Sequence, residues 1–269
     1  MSSLLQTHDL TVSYGGLHAN SNVNIKAEKG KLTGLIGPNG AGKTTFIDAI
    51  TGFTNISSGR AEFNGVDMLG MTPAARAKAG LVRTFQSLEL FEDLTVWDNL
   101  IVMAEETKWW SFIADIFQPN RTLGVEKQAE WALNLLGLGE FRDRLTLDLS
   151  HGQRKLVSVA RSLAASPKLL LLDEPAAGLD TVESQQLGSH LREILNHDIS
   201  IFLIDHDMGL VLSVCDYIYV LDFGKIIAEG TPEEVRNNPE VIKAYLGESA
   251  GELQATEGDA AARALKGEG

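Results

Sequence analysis

The residues with the clearest chemical meaning form a glycine-rich segment between an apolar run at 32–36 and a helix-like stretch at 45–50. Its members are Gly37, Pro38, Asn39, Gly40, Ala41, Gly42, Lys43, Thr44 and Thr45. This order, in a strand–loop–helix context, is typical of a phosphate-binding loop, because glycines let backbone N–H groups converge on phosphate oxygens and a helix start adds free donors. The segment, here called the lysine loop, is therefore predicted to bind a nucleotide. Lys43 is expected at the β- and γ-phosphates and the Thr44 hydroxyl at Mg²⁺.

Two acidic residues, Asp173 and Glu174, follow a run of leucines at 169–172 that indicates a buried strand. Open α/β sheets bind their ligands at the carboxyl ends of such strands. Asp173 is therefore expected to contact Mg²⁺ directly or through another ligand, and Glu174 to orient or deprotonate the attacking water. Without the lysine loop, the acidic pair could equally end a strand and cap the next turn. With it, the sequence predicts an ATPase that uses ATP and Mg²⁺.

A third segment, Leu149-Ser150-His151-Gly152-Gln153, is a glycine-bearing turn that opens a helix at about 152–165. The three segments together resemble the ATP-binding-cassette (ABC) ATPases, over residues 4 to about 247. That family usually has Leu-Ser-Gly-Gly-Gln here, so His151 replaces the first glycine and Gly152 keeps the second. The resemblance implies that two cassettes pack head to tail, with ATP between the lysine loop of one and Ser150, His151, Gly152 and Gln153 of the other. His151 either contacts nucleotide or is an exposed side chain at the helix start, and the second interpretation is preferred.

The same resemblance implies roles for other positions along the chain. Tyr14 matches the aromatic residue that stacks on adenine, and Gln86 matches the glutamine that approaches Mg²⁺ and links the site to the partner protein. His206, which follows the apolar run 200–204, matches the histidine that contacts the γ-phosphate. Residues 177–180 match the segment that crosses the dimer interface after the catalytic acid.

The pattern of elements indicates an α/β fold: a P-loop NTPase of the ABC type with a mixed, largely parallel core sheet flanked by helices, an antiparallel β subdomain and an inserted α-helical lobe. Antiparallel strands are expected at 4–13, 20–28 and 60–64, core strands at 31–36, 81–85, 168–172, 199–204 and 217–222, and lobe helices at 95–105 and 124–138. We assign residues 1–248 to one ATPase domain with its lobe at about 95–165, a C-terminal helical extension at about 232–247 and a flexible tail at 249–269. The apolar segment 106–124, with Trp109 and Trp110, either packs against the lobe or faces a membrane or subunit, and burial is preferred.

Composition narrows the functional classes. The chain of 269 residues has a net charge of −13 and a pI near 4.9, which argues against nucleic acid as a partner. Its single cysteine, Cys215, excludes an intrachain disulfide and suits a reducing cytosol. Neither a signal peptide nor an apolar run of the roughly 18–20 residues needed to span a bilayer is expected, so any membrane role is predicted to be peripheral.

Within the ABC family, the chain most resembles the ATPase subunits of branched-chain amino acid importers and their amide and urea relatives. The residues that carry this likeness are 14–17, 83–86, 90–91, 94–96, the long segment 106–124 and the ending 241–247. The resemblance implies a second ATPase subunit (the same or a paralogous chain), transmembrane permease subunits that dock near 87–98, an extracytoplasmic solute-binding protein acting indirectly, and a place on the cytoplasmic face of the plasma membrane.

Two alternatives remain: an exporter ATPase such as the lipopolysaccharide-export type, and a soluble cassette ATPase of the iron–sulfur assembly type. A nucleic-acid-acting cassette ATPase normally needs two fused cassettes or long coiled-coil insertions, which are not found here.

Overall fold

The computed structural model describes residues 3–84, 90–104 and 120–245 of the chain, without the side chains of 104 and 120–123. Its strands are β1 Ser3–Tyr14, β2 Leu17–Val23, β3 Lys26–Glu28, β4 Leu32–Ile36, β5 Ser58–Phe63, β6 Val66–Asp67, β7 Leu81–Arg83, β8 Leu169–Asp173, β9 Ser200–Ile204, β10 Tyr217–Asp222 and β11 Lys225–Gly230. Its helices are α1 Lys43–Thr51, α2 Pro73–Lys78, α3 Val96–Ala104, α4 Asn120–Leu135, α5 His151–Ala164, α6 Thr181–Leu195, α7 Met208–Val214 and α8 Pro232–Arg236. Residues 239–245 are also helical.

The core sheet has the strand order β11-β10-β4-β9-β8-β7, and all its neighbouring pairs are parallel except β10 with β11. Strands β4, β8 and β9 are buried along their whole length, as expected for a parallel sheet covered on both faces. The register aligns Leu35 with Ile204 and Asp173 with Ile204. The segments that follow β4, β8 and β9 therefore meet at one edge of the sheet, as the sequence predicts.

The side chains of the core strands alternate between two hydrophobic clusters. Leu170, Leu172, Ile201 and Leu203 belong to a cluster with α3 to α7. Leu169, Leu171, Phe202 and Ile204 belong to a second one with α1 and the antiparallel sheet. Because successive strand residues point to opposite faces, this period of two lets the leucine run fill both layers. Cys215 belongs to the first cluster, and burial raises the pKa of its thiol.

The second sheet is antiparallel, with the order β2-β1-β5-β6 and β3 paired to β1. The prediction of one strand at 20–28 is wrong, because β2 ends at Val23 and β3 begins at Lys26. Asp9 and Asn22 have left-handed φ values of 49° and 50°, and the Asn24 side-chain amide donates to Asp9 Oδ1 and to the Asn22 carbonyl. These side-chain bonds take the place of ladder bonds, and β1 pairs with β2 on one side of this point and with β3 on the other.

The helical lobe contains α3, α4 and α5, which lie near the expected positions. Its core includes Val96, Leu100, Ala132 and Leu133. The predictions for 106–119 and for the tail 249–269 fall outside the described residues, and so do residues 87–89 of the expected permease surface at 87–98. In the C-terminal extension, α8 and the helix at 239–245 match the expected split at Pro239. None of the helices described is long and apolar enough to cross a membrane.

Candidate nucleotide-binding and catalytic site

The lysine loop has a backbone that glycine alone accommodates at two positions. Gly37 and Gly42 have φ values of 153° and 105°. A Cβ at Gly37 would lie 2.0 Å from the Leu221 carbonyl oxygen, and one at Gly42 would lie 2.4 Å from the Ala19 oxygen. Gly40 also has a positive φ, of 78°, but the space around its missing Cβ is open. The loop is therefore pressed against the backbones of β2 and β10 at both ends, and its middle faces solvent.

Lys43 lies folded over this loop. Its ammonium is largely buried and donates hydrogen bonds to the carbonyls of Gly37 and Pro38, the second at 2.9 Å. Helix α1 begins at the same residue, and its first turn carries neither a capping side chain nor an acidic residue. The positive end of the helix is therefore directed into the space above the loop. A cavity of about 510 Å³ occupies that space, and its walls include Lys43, the exposed Thr44, Thr45 and Glu174.

Asp173 ends β8 in a buried ion pair that the sequence analysis did not anticipate. Arg83 of β7 donates to Asp173 Oδ2 at 2.7 Å and to Asp48 of α1. The side chains of Arg83 and Asp173 are only 9% and 3% exposed. Burial raises the pKa of Asp173, and the bond and charge of Arg83 oppose that rise. A charged residue inside the apolar strand 81–83 was the available signal, since a buried arginine requires a partner.

Glu174 has the left-handed φ of 49°, which is unusual for a residue with a side chain. Its N–H donates to the Ile204 carbonyl at 2.7 Å, and its own carbonyl accepts from Lys155 Nζ at 3.0 Å. Its carboxylate lies 3.8 Å from Nδ1 of His206, an exposed residue just after β9. The structure therefore brings together Glu174 and His206, as the sequence predicts for the segments that follow β8 and β9.

The neighbour of His206, Asp205, is completely buried and was given no role by the sequence. Its carboxylate accepts from the N–H of Ala176 at 3.1 Å and from the N–H of Asp207 at 2.9 Å. Burial raises the pKa of Asp205, and these backbone bonds counter the rise. Asp205 therefore fixes the turn after Glu174 to the turn that carries His206. An acid at the end of a fully apolar strand was the signal that could have found it.

The turn at 150–153, here called the signature turn, is a self-contained helix cap. Ser150 Oγ accepts from the Gln153 N–H at 3.2 Å, and the Gln153 side chain accepts from the Ser150 N–H at 2.9 Å. Gly152 packs against α6, because a Cβ there would lie 2.4 Å from Glu183 Oε1. His151 is exposed, and its Nε2 lies 3.3 Å from the Ala177 carbonyl of the same chain. The described walls of the cavity over the lysine loop do not include this turn.

Tyr14, a predicted nucleotide contact, is not among the described residues that line the cavity over the lysine loop. Tyr14 is exposed at the end of β1, and its hydroxyl lies 3.3 Å from Thr54 Oγ1. Leu17 and His18 of the following strand line the cavity over the lysine loop, as does the strongly exposed Phe223, which sequence reasoning missed. Gln86 falls outside the described residues.

A parallel sheet with a glycine-rich lysine loop after one strand and an acidic pair after another defines a P-loop ATPase. The family described as "ABC transporter" matches residues 20–177, and the one described as "Branched-chain amino acid ATP-binding cassette transporter" matches residues 225–251. The chain therefore belongs to the ABC transporter family. It is the ATP-binding, ATP-hydrolysing subunit of such a transporter.

Similar proteins cover nearly the whole chain. The high-affinity branched-chain amino acid transport ATP-binding protein BraF of Pseudomonas aeruginosa is 39% identical over 251 residues, which are 91% of this chain and 98% of BraF. LivG of Escherichia coli, with the same description, is 38% identical over 252 residues and has the same coverage. Among solved structures, an ABC transporter cassette in its ADP conformation is 32% identical with a TM-score of 0.81, covering 92% of this chain and 100% of that one. A nucleotide-free cassette is 33% identical with a TM-score of 0.79, covering 91% and 99%. These relatives favour neither the exporter nor the iron–sulfur alternative.

Proposed function

We propose that this chain powers the import of branched-chain amino acids, or of a related amide or urea. It acts as one of two ATPase subunits bound to permease subunits at the cytoplasmic face of the membrane, and an extracytoplasmic binding protein supplies the solute. The cargo assignment is supported by the descriptions of BraF and LivG and by the family match at 225–251.

In this proposal the lysine loop binds the phosphates of ATP. Lys43 moves from the carbonyls of Gly37 and Pro38 to the β- and γ-phosphates, next to the N–H groups at the start of α1. Glu174, on the wall of the same cavity, orients or deprotonates the attacking water, and His206 contacts the γ-phosphate. Tyr14 stacks on adenine. The carboxylate of Glu174 and the imidazole of His206 are already adjacent, which supports these two roles.

The predicted Mg²⁺ ligands are of the type that Mg²⁺ prefers. Mg²⁺ prefers oxygen ligands and is usually held by one or two protein groups together with phosphates and water. Thr44, Asp173 and Gln86 offer a hydroxyl, a carboxylate and an amide oxygen, and the described residues contain no cluster of three or more His, Cys, Asp or Glu that could form a full metal cage. When bound, Mg²⁺ neutralises charge on the β- and γ-phosphates. Because Arg83 already contacts Asp173 Oδ2, Asp173 would have to share its oxygens between the two cations.

The observation that carries the two-chain arrangement is the position of the signature turn. Ser150, His151, Gly152 and Gln153 form a helix start, with Ser150 and His151 exposed, outside the cavity that Lys43 and Glu174 line. The capping box uses the N–H groups of Ser150 and Gln153, so the N–H groups of His151 and Gly152 and the helix dipole are what can attract a phosphate. A second chain, packed head to tail, would place this start against the γ-phosphate held by the lysine loop of the first. Loss of that phosphate would then release the pair.

The replacement Glu174→Gln tests this arrangement. It keeps the shape of the side chain but removes the base, so ATP with Mg²⁺ should bind while hydrolysis falls by at least about 100-fold. The stalled γ-phosphate should hold two chains together. Size-exclusion chromatography with light scattering should therefore show a dimer in ATP and a monomer in ADP.

A second replacement in the same protein supplies the control. Ser150→Arg fills the helix start without touching the lysine loop, so it should abolish the ATP-dependent dimer while nucleotide still binds. A Glu174→Gln protein that stays monomeric in saturating ATP would contradict the dimer, and one that hydrolyses ATP at the wild-type rate would contradict the role of Glu174.

The surface proposed for the permease is tested separately. Leu90 and Trp97 pack partly buried against the lobe core, whereas Phe91, Leu145 and Leu147 are exposed. An exposed apolar group on a lobe supports a docking role. Phe91→Glu should leave ATP binding unchanged but prevent a multi-span permease from copurifying with the tagged subunit out of solubilised membranes. Normal copurification would show that the permease docks elsewhere.

A further inference from the structure

Lys155 is a buried cation that the proposed mechanism leaves without a role. It lies in α5, two residues after the signature turn, and the whole residue is only 6% exposed. Its Nζ donates to the backbone carbonyl of Glu174 at 3.0 Å. Burying an ammonium costs several kcal/mol unless other groups compensate for its lost hydration. The position of Lys155 therefore needs an explanation beyond packing.

The surroundings of Lys155 are strongly acidic. Burial lowers the pKa of its ammonium, while the charges of Asp205, Glu174 and Asp173 raise it. Those carboxylates have other partners: Asp205 accepts two backbone N–H groups and Asp173 accepts from Arg83. The hydrogen bond from Lys155 goes instead to a main-chain oxygen, that of the residue with the left-handed φ of 49°.

Both backbone polar groups of Glu174 are therefore held from different elements. Its N–H donates to the Ile204 carbonyl of β9. Its carbonyl accepts from Lys155 of α5 at 3.0 Å and from the Ala177 N–H of the following turn at 3.2 Å. A non-glycine residue in the left-handed region persists only where its surroundings impose it, at a cost on the order of 1–3 kcal/mol. If the bond from α5 were lost, this carbonyl would keep the longer bond from Ala177, and the backbone of Glu174 could shift enough to displace the carboxylate.

We propose that Lys155 is a positioning residue for Glu174: it fixes the backbone of the base from the helix that begins with the signature turn. This inference rests on the proposed function, in which Glu174 acts on the attacking water and the signature turn meets the ATP of the other chain. Helix α5 then joins the surface that contacts one ATP to the base that acts on the other. Binding of the other chain's ATP at the signature turn can therefore affect the position of Glu174 through this helix.

The test uses Lys155→Met, which keeps the length of the stem and removes the donor. Measured on the transporter purified through a tag on this subunit, kcat for ATP should fall about 10- to 100-fold, because a displacement of about 1 Å at a reacting group costs up to about 100-fold. KM for ATP should change by less than about threefold, since the lysine loop is untouched. Lys155→Arg, which retains a cationic donor, should recover most of kcat, and Lys127→Met on the exposed face of α4 should match wild type.

A double-mutant cycle separates positioning from a general structural loss. In the Glu174→Gln background, Lys155→Met should lower the residual rate less than about threefold, because the group it positions is already gone. The double variant should still form the ATP-dependent dimer. Equal losses in both backgrounds, or a single variant with wild-type kcat, would overturn the role of Lys155.

If Lys155→Met does not fold, Lys155→Gln provides the same comparison with a shorter polar side chain. If the Glu174→Gln variant hydrolyses ATP normally, Glu174 is not the base and the proposed function fails, whatever the result for Lys155. If Glu174→Gln is inactive but Lys155→Met is fully active, Glu174 keeps its role and only the positioning role of Lys155 fails.

Discussion

The ion pair between Arg83 and Asp173 allows a prediction about stability whose size follows from the structure. Arg83→Met keeps an apolar stem in the buried strand but leaves the Asp173 carboxylate, 3% exposed, without its cation. Removing one partner of a buried ion pair typically costs about 3–5 kcal/mol. Asp48 also loses its bond to Arg83, but its side chain is 30% exposed and should add little.

Proton uptake by Asp173 limits this loss. The stranded acid can become neutral, so its contribution cannot exceed about 1.4 kcal/mol for each pH unit above its unfolded pKa of about 3.9. The limit is about 4 kcal/mol at pH 7 and about 1.5 kcal/mol at pH 5. The pKa of Asp173 is raised in the folded protein, so the folded state binds the proton more tightly than the unfolded state. Protonation of Asp173 therefore stabilises the fold fully below the unfolded pKa, and this contribution is lost as the pH rises through the folded pKa. We therefore expect the variant to lose about 3 kcal/mol at pH 7 and about 1 kcal/mol at pH 5.

Urea unfolding without nucleotide at the two pH values measures these losses as free energies of unfolding. The double variant Arg83→Met/Asp173→Asn should lose the difference between pH 5 and pH 7, because the titrating group is absent. Arg192→Met is the matched control, since Arg192 bonds Asp216 at 3.1 Å on the surface, where both side chains are far more exposed. It should cost less than about 1 kcal/mol at either pH. A loss below about 1 kcal/mol for Arg83→Met at pH 7, or one that is independent of pH, would refute this reasoning.

Three further predictions concern the nucleotide site. Gly42→Ala should abolish ATP binding and lower the free energy of unfolding more than Gly40→Ala, by about 1 kcal/mol or more, because a Cβ collides with backbone at Gly42 and meets open space at Gly40. Isothermal calorimetry measures the binding and urea unfolding the stability, and equal losses in the two variants would contradict this prediction. Tyr14→Ala should raise KM for ATP about 3- to 10-fold at unchanged kcat through the loss of stacking, while Tyr14→Phe should be neutral; an unchanged KM would remove Tyr14 from the site. Lys43→Ala should eliminate hydrolysis and also lower the stability of the nucleotide-free protein by about 1 kcal/mol, since its ammonium bonds two loop carbonyls; a nucleotide-free stability equal to wild type would show that those bonds contribute nothing.

The features that could be predicted from the sequence are those with local causes. The lysine loop is recognisable because its glycines, lysine and helix start are consecutive, and the leucine run 169–172 identifies a strand buried on both faces. The roles of Glu174, His206 and the signature turn remain predictions, although the sheet register places the first two side by side. The family assignment is confirmed by the relatives that cover the chain.

The sequence does not predict side-chain contacts between residues that only the tertiary structure brings together. Arg83 and Asp173 are 90 residues apart, and Lys155 and Glu174 lie on different elements. No periodic pattern encodes such pairs. The interruption between β2 and β3 likewise depends on a side-chain bond between Asn24 and Asp9, 15 positions away. His151 was open to two interpretations, and its contact with the Ala177 carbonyl depends on how α5 and the loop after β8 pack.

The burial of Cys215 makes this chain convenient for spectroscopy. It is the single cysteine in 269 residues, it is 3% exposed, and its raised pKa keeps the thiol protonated at neutral pH. Maleimide and methanethiosulfonate reagents attack exposed thiolates, so the native protein should remain unlabelled. One cysteine introduced at an exposed position such as Val182 on α6 would then carry a spin label or fluorophore alone. Distances between two such labels could follow the approach and separation of paired subunits during ATP turnover, with no native residue replaced to silence background.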